Sequence, residues 1–212
     1  MPQGTPSGGK QSAAEWLELS APGVPPAIFV KYRGVELMWL PGHAVLQCEP
    51  EQAESLLAAI VEFSYYEREL RLIEEEVANG WRELEQDKAL AFEVTPADLA
   101  RSETVGARMG RVLQRRIRHA RIEPHLCAPE VSLPASSQKL GEELREKARI
   151  EARLEAVDGQ LEVFEHIYEM GGQRMGEYRA AHQEHILEWV IIVLLAAETL
   201  LMLAATMWRF RA

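Results

Sequence analysis

Three titratable side chains, His182, His185 and Glu188, are spaced three residues apart near the C-terminal end of the chain. Imidazole and carboxylate groups are common zinc ligands, so this spacing resembles a metal site. Successive steps of three residues drift around a helix, however, and no cysteine joins the group. We therefore predict that these side chains do not form a metal site.

Other signatures of catalysis are weak. His119, His125 and Cys127 flank a proline without a recognisable ligand spacing. The segment SGGK at 7–10 lacks the preceding strand and the first glycine of a phosphate-binding loop. No grouping of Ser, His and Asp can be recognised from spacing alone. We expect no enzyme, with no catalytic residue, no cofactor and no metal.

One carboxyl group, that of Glu198, interrupts an otherwise apolar stretch from Trp189 to Trp208. Twenty helical residues span about 30 Å, the thickness of the bilayer hydrocarbon, and tryptophan favours both interfaces, so 189–208 is predicted to be a transmembrane helix. A lone carboxylate at mid-bilayer costs from about 2.5 kcal/mol upward. Glu198 is then neutral and hydrogen-bonded between protomers, or part of an ion or proton pathway in an oligomer, or paired with another protein's span.

The two ends of the chain bear on how it reaches the membrane. Residues 1–26 are rich in Gly, Pro, Ser and Ala and lack the apolar core of a signal peptide, so we predict a flexible leader. Only the short tail 209–212 follows the span. These features predict a tail-anchored protein whose large domain stays on the side of synthesis.

Cys48 and Cys127 form no CxxC pair, and we expect free thiols.

A cluster of arginines lies between residues 101 and 121. Its seven arginines and the single acid Glu103 give a local charge of +6 in a chain of net charge −10. Guanidinium groups suit phosphate, so an RNA backbone, as in a ribosome, or an anionic lipid headgroup is one expected partner. The alternative is intramolecular pairing with the acidic residues between 67 and 87. The arginines are Arg101, Arg108, Arg111, Arg115, Arg116, Arg118 and Arg121.

The elements that position these side chains follow from hydrophobic periodicity. Residues 27–47 read as two or three short strands with tight turns, too few for an independent sheet, so they need a covering helix. A helix of up to about thirty-five residues begins near Pro50, with an interruption possible at Asn79-Gly80. A second helix, capped by Thr95, is predicted to reach about Ile122, before a proline-rich connector.

The longest helical pattern is predicted to begin at Ser136 or Ser137 as the cap and to lead into the span. From Ile150, its apolar or permissive positions alternate at spacings of four and three residues, which is a coiled-coil seam. The seam pairs either with the earlier helices of the same chain or with another copy. Gly171-Gly172 weakens the helix and permits a kink or a hairpin turn.

The predicted fold class is α+β and predominantly α-helical, with a small strand region packed on helices and a long coiled-coil-like helix ending in one transmembrane helix. The predicted segments are the leader 1–26, a small α+β domain 27–135, a helical stalk 136–188, the span 189–208 and the tail 209–212.

The C-terminal half resembles a known family. The segment RIEARLEAVDGQLEVFEHI, followed about twenty residues later by HILEWVIIVLLAAETL, is similar to the family of membrane-anchored proteins required for meiotic nuclear division, also described as a domain of unknown function. Leu187, Glu188, Trp189 and Glu198 match the family's entry to a single span and its intramembrane glutamate, and VGARMGRVLQRR resembles its preceding segment. The similarity covers roughly 95–200; the usual Asn near 158 is replaced by Asp-Gly, and the strand region is abbreviated.

The resemblance implies a membrane protein that supports translation, because the eukaryotic relatives do so at the mitochondrial inner membrane. Composition favours a bacterial member in the inner membrane with a cytoplasmic domain. We therefore expect a non-enzymatic, tail-anchored scaffold or tether that forms a homo-oligomer. The alternative is an oligomeric ion or proton channel or transporter lined by Glu198. A third hypothesis is an anchored RNA-binding factor.

Overall fold

The computed structural model describes residues 27–128 and 132–211, with side chains up to Leu203. The predicted leader 1–26 therefore lies outside the described residues, as does the side chain of Trp208. The helix that contains the span continues to Arg211, through most of the predicted tail.

An antiparallel sheet of three strands opens the described chain. Its strands are β1 (Ile28–Tyr32), β2 (Val35–Leu40) and β3 (His43–Gln47), in the order β1-β2-β3. The β1–β2 turn places Arg33 and Gly34 at φ angles of 42° and 84°, a pair of positive values that suits the right-handed twist of a two-residue hairpin. The prediction of two or three strands between residues 27 and 47 is confirmed.

Helix α1 (Pro50–Asp87) covers this sheet. The Trp39 ring of β2 meets the ring of Phe63 edge-on at 5.1 Å, and its indole Nε1 donates a hydrogen bond of 2.8 Å to the Ser64 hydroxyl. The helix runs through Asn79-Gly80 without the interruption that the sequence permitted. The apolar residues whose periodic spacing predicted this helix are buried, namely Leu56, Ile60, Phe63, Leu70, Ile73, Val77 and Leu84.

The predicted second helix is divided in two. After a 3-10 turn (Lys88–Ala91), the short α2 (Pro96–Leu99) is followed by α3 (Ser102–Cys127). Thr95 is the N-cap residue of α2 and forms a capping box with Asp98, whose carboxylate accepts a hydrogen bond of 2.9 Å from the Thr95 backbone N–H. The predicted end near Ile122 is wrong: α3 continues through Pro124 to Cys127, because a proline so close to the helix end removes only one backbone hydrogen bond.

The predicted stalk also begins differently. Helix α4 (Ala135–Lys147) starts after Pro134, so the predicted cap at Ser136 or Ser137 is wrong, and Ser137 is fully buried inside the helix. Arg149, at φ 54°, then ends α4 in the left-handed conformation that commonly terminates helices. Helix α5 (Ile150–Arg211) follows at once.

The seam predicted along α5 is buried from Ile150 to Met175 within a single chain. Intramolecular packing is thus confirmed for that stretch. Helix α5 passes through Gly171-Gly172, so the hairpin alternative is wrong. A Cβ atom at Gly171 would lie 3.3 Å from the Cβ of Leu90, which explains why the smallest residue is found where the 3-10 turn packs on α5.

Two compact units share the long helices. Unit 1 comprises the described residues up to 81 together with 112–162, and unit 2 comprises 82–111 together with 163–211. The sheet, most of α1, the later part of α3 and all of α4 belong to unit 1. The end of α1, the 3-10 turn, α2 and the later part of α5 belong to unit 2. The predicted fold class, α+β and predominantly helical, is confirmed.

Candidate functional site

The arginines of unit 2 gather around one buried carboxylate. Asp87, at the end of α1, is 1% exposed and accepts hydrogen bonds from Arg101, at 2.8 Å, and from Arg108. The hydrogen bond to Asp87 raises the pKa of Arg108. Arg111 forms an ion pair of 2.6 Å with Glu83 one turn earlier on α1. The three guanidinium groups therefore fasten the start of α3 to the end of α1.

A tyrosine completes this buried cluster. The Tyr168 hydroxyl on α5 donates a hydrogen bond of 3.3 Å to Asp87. Burial raises the pKa of Tyr168 to about 12, and the nearby Asp87 charge adds to the effect because it opposes a second anion. Tyr168 falls on the spacing of four and three residues that begins at Ile150, so its ring fills a buried seam position while its hydroxyl contacts the ion cluster.

The arginines of unit 1 are also paired. Arg118 donates to Glu76 at 2.6 Å and to Glu69 at 3.5 Å, and the hydrogen bond to Glu76 raises its pKa. Arg115 donates to the other oxygen of Glu76 at 3.3 Å. These contacts join α3 to the middle of α1 by charge as well as by apolar packing.

Of the seven arginines predicted as a phosphate site, six have a carboxylate partner within their own unit, since Arg116 is paired with Asp158. Arg121 is exposed and has no partner among the described residues. Phosphate binding stays a prediction, and at six positions a phosphate would have to compete with a carboxylate that is already in place.

A second buried ion cluster was missed by the sequence analysis. Glu67 on α1 is 2% exposed, and one of its oxygens accepts from Arg71 at 2.6 Å and from Arg153 at 3.0 Å. Arg153 also binds both oxygens of Glu74, at 2.8 and 2.7 Å, and this bidentate contact raises its pKa. The i,i+4 spacing of Glu67 and Arg71 was the available signal, but the partner from α5 is distant in sequence.

Arg145 of α4 was also missed. Its Nη2 donates to the carbonyls of His125 and Ala128 at 3.3 Å each, so it satisfies one carbonyl of the last turn of α3 and the first carbonyl after the helix. Burial lowers the pKa of this guanidinium. A Cβ at Gly141 would lie 2.7 Å from its Nη1, so the glycine leaves the space in which Arg145 lies.

A cavity of about 510 Å³ in unit 1 is lined by Arg145, Cys127, Glu142 and Glu146 among others. Burial, followed by the charge of Glu123, raises the pKa of the Cys127 thiol. A raised pKa reduces the thiolate fraction, so the environment does not activate Cys127 as a nucleophile. Among the described residues, no group of three or more His, Cys, Asp or Glu side chains could hold a metal ion.

The C-terminal part of α5 is the one described helix long and apolar enough to cross a membrane, and its apolar window is 0% buried. Thirteen large apolar side chains between Ile186 and Leu203 are each 49–72% exposed. So large an apolar surface is rare in contact with water and is typical of a membrane or protein interface. Leu187, Glu188, Trp189 and Glu198 all lie on this part of α5.

At the start of the apolar stretch, three side chains contact each other. His185 lies 3.4 Å from Glu188, and the Trp189 indole donates a hydrogen bond of 3.3 Å to the other nitrogen of His185. Further along, Glu198 is exposed and has no partner among the described side chains. His185 and Glu188 therefore place polar groups directly before the apolar segment. The Glu198 carboxyl group lies inside the segment without a partner among the described side chains.

Comparisons with models of protein families, with curated protein sequences and with solved structures found no match. The resemblance to the family required for meiotic nuclear division therefore stays a prediction.

Proposed function

We propose that the chain is a non-enzymatic scaffold that is anchored in a membrane by α5 and holds its folded units close to the bilayer surface. The observation that carries the proposal is the continuity of α5. The same helix contributes Met175 to the packed core of unit 2 and, without a break, the exposed apolar segment from Trp189.

A continuous helix attaches unit 2 to the membrane and also fixes the distance between the core of unit 2 and the start of the span. Trp189 lies fourteen positions after Met175, which corresponds to about 21 Å of helix. A flexible linker of the same length would let the anchored body reorient freely, whereas a helix restricts it. Placement of a surface at a set height above the bilayer raises its effective concentration toward other membrane-bound partners.

The membrane in this proposal is the bacterial inner membrane, with the folded units on the cytoplasmic side; in a eukaryote it is the mitochondrial inner membrane. This assignment rests on the resemblance of residues 95–200 to the meiotic-division family. The apolar helix supports membrane association as such, without choosing between membranes.

The anchor is tested by placing two charges in the span. Each arginine near the centre of a transmembrane helix costs about 2.5–3.5 kcal/mol on insertion scales. The variant Leu194→Arg, Leu195→Arg should move from the carbonate-resistant membrane fraction to the soluble or aggregated fraction. Leu57→Arg, Val61→Arg, at two exposed positions of α1, is the matched control and should stay with the membrane. Equal membrane retention of both variants would contradict the anchor.

An oligomeric channel or transporter is the second candidate, and one observation favours it: Glu198 lies in the exposed apolar segment with no partner among the described side chains. A ring of such carboxyl groups would conduct protons or cations. In liposomes, Glu198→Gln should abolish flux by a channel while leaving membrane insertion intact. A scaffold shows no flux in either form.

Support of translation through RNA or ribosome contact is a finer proposal, suggested by the family resemblance and the arginine cluster. Arg121 is the one cluster member that a phosphate would reach without displacing a described carboxylate. Arg121→Glu should therefore reduce recovery of ribosomal particles at low salt without unfolding the protein. Recovery unchanged by Arg121→Glu, or insensitive to salt, would count against a phosphate contact at this helix.

A further inference from the structure

The apolar segment of α5 carries a heptad stripe of its own, separate from the seam buried in the folded units. Leu187, Ile191, Leu194, Glu198 and Leu201 are spaced by four, three, four and three residues, and all five are exposed. This spacing places them on one face of the helix, within about 60° of Glu198 at 100° per residue. The stripe has the pattern of a helix-pairing face with one polar position.

This stripe points away from the body of unit 2. Among the side chains that the structure describes, up to Leu203, Met175 is the last buried one on α5 and Tyr178 the last half-buried one. On a continuous helix they lie about 140° and 160° around the axis from Glu198, on either side of the opposite face. A helix that approaches the Glu198 face therefore meets α5 on the side that unit 2 leaves open.

Charged residues mark the N-terminal end of the pairing face. Glu177, Ala180 and Glu184 continue the same face toward the folded units. In a parallel pair of identical helices, these glutamates would face their own copies, and like charges at facing positions are unfavourable. The apolar stripe begins directly after them, at Leu187. Close contact is thus expected only from Leu187 onward, at the entry to the span and within it.

From these observations we infer that two copies of this chain pair in parallel within the membrane along Leu187, Ile191, Leu194, Glu198 and Leu201. The inference rests on the proposed anchor. A second copy is the occupant that the geometry selects, because copies inserted in the same direction place their Glu198 side chains at the same depth. A carboxyl group can both donate and accept a hydrogen bond, so Glu198 is complementary to itself.

Disulfide cross-linking in native membranes tests directly whether the stripe forms the contact between two copies. In a full-length background with Cys48→Ser and Cys127→Ser, single cysteines are placed on the stripe (Ile191→Cys, Leu194→Cys) and, at nearly the same depth, on other faces (Ile192→Cys, Val193→Cys). A disulfide requires Cα atoms within about 7 Å, which only the stripe reaches in the proposed pair. Mild oxidation should therefore give the mass of two chains for the stripe variants and of one chain for the controls.

Membrane retention is measured first for every variant, which separates the two proposals. The pairing would be overturned, and the anchor left intact, by variants that resist carbonate extraction but do not cross-link selectively on the stripe. Such variants would cross-link equally on all faces, not at all, or only to a protein of another mass. Variants that wash off the membrane would overturn both.

The role of Glu198 is tested by matched substitutions. Glu198→Gln keeps a donor and an acceptor and should retain pairing. Glu198→Leu keeps the apolar stripe but loses the hydrogen bond, and its dimer dissociation constant in detergent should rise about 3-fold to 30-fold. An unchanged dimer dissociation constant for Glu198→Leu would show that the Glu198 carboxyl group does not contribute to the interface.

Discussion

The cluster of Tyr168, Asp87 and Arg108 predicts an unusual dependence of stability on alkaline pH. Burial raises the pKa of Tyr168 from 10.0 to about 12 in the folded chain. A group whose pKa is raised by folding stabilises the fold below its unfolded pKa, and this contribution disappears as the pH rises toward the folded pKa. For these two values the loss between pH 9 and pH 11 is about 1 kcal/mol.

The test compares the full-length chain with Tyr168→Phe. At pH 8 the Phe variant should be less stable by about 1 kcal/mol, because it lacks the hydrogen bond to Asp87. The difference should close by pH 11, since only the parent chain has to keep a tyrosine protonated at position 168. Denaturant unfolding in mild detergent at several pH values measures the free energy of unfolding, and ultraviolet difference spectra follow tyrosinate directly.

The comparison cancels the titration of lysines and of the other tyrosines, which both proteins share. A stability difference that stays constant from pH 8 to pH 11 would refute the reasoning. So would a Tyr168 ionisation near pH 10 in the folded chain, because the hydroxyl would then be in contact with water rather than with Asp87.

Further substitutions test the packing, the ion clusters and the turns by denaturant unfolding. Leu161→Ala, at a position 0% exposed, should cost about 2–5 kcal/mol, whereas Leu113→Ala, at a position 45% exposed, should change stability by less than about 0.5 kcal/mol. Arg153→Ala leaves the buried Glu67 carboxylate without its partner from α5 and should cost about 3 kcal/mol, the lower end for a broken buried pair, because the Arg153 side chain is 25% exposed. Gly34→Ala should destabilise by more than about 1 kcal/mol because its φ is 84°, while Gly106→Ala, inside α3 with open space around it, should stabilise by about 0.5–1 kcal/mol. Opposite signs for the two glycines are the decisive outcome, and equal signs would contradict the backbone argument.

Much of the architecture could be predicted from periodicity. The strands, the apolar face of α1 and the α5 seam from Ile150 to Met175 repeat at the spacing of their own secondary structure, so each is visible in a local window. The boundaries of the helices were harder to predict. The break at Arg149 has neither glycine nor proline to signal it, and the contact of Arg145 with the His125 and Ala128 carbonyls at the end of α3 joins residues that are distant in sequence.

The ion clusters could be predicted only in outline. An acidic α1 beside a basic α3 indicated intramolecular pairing, and six of the seven arginines do pair. The buried members, Asp87 and Glu67, were not distinguishable from their exposed neighbours, because their burial depends on α5 residues 81 and 86 positions away in sequence. Such contacts are set by tertiary packing and leave no local pattern.

The central claim, that α5 enters the bilayer, is tested most directly by the accessibility of single cysteines along this helix in open membrane fragments. In the background with Cys48→Ser and Cys127→Ser, Gln183→Cys lies before the apolar segment, and Leu194→Cys and Leu201→Cys lie within it. A water-soluble maleimide should label Gln183→Cys rapidly and should label the other two only after the membrane is dissolved and the protein is denatured. Labelling of Leu194→Cys as fast as that of Gln183→Cys in intact membranes would contradict the account.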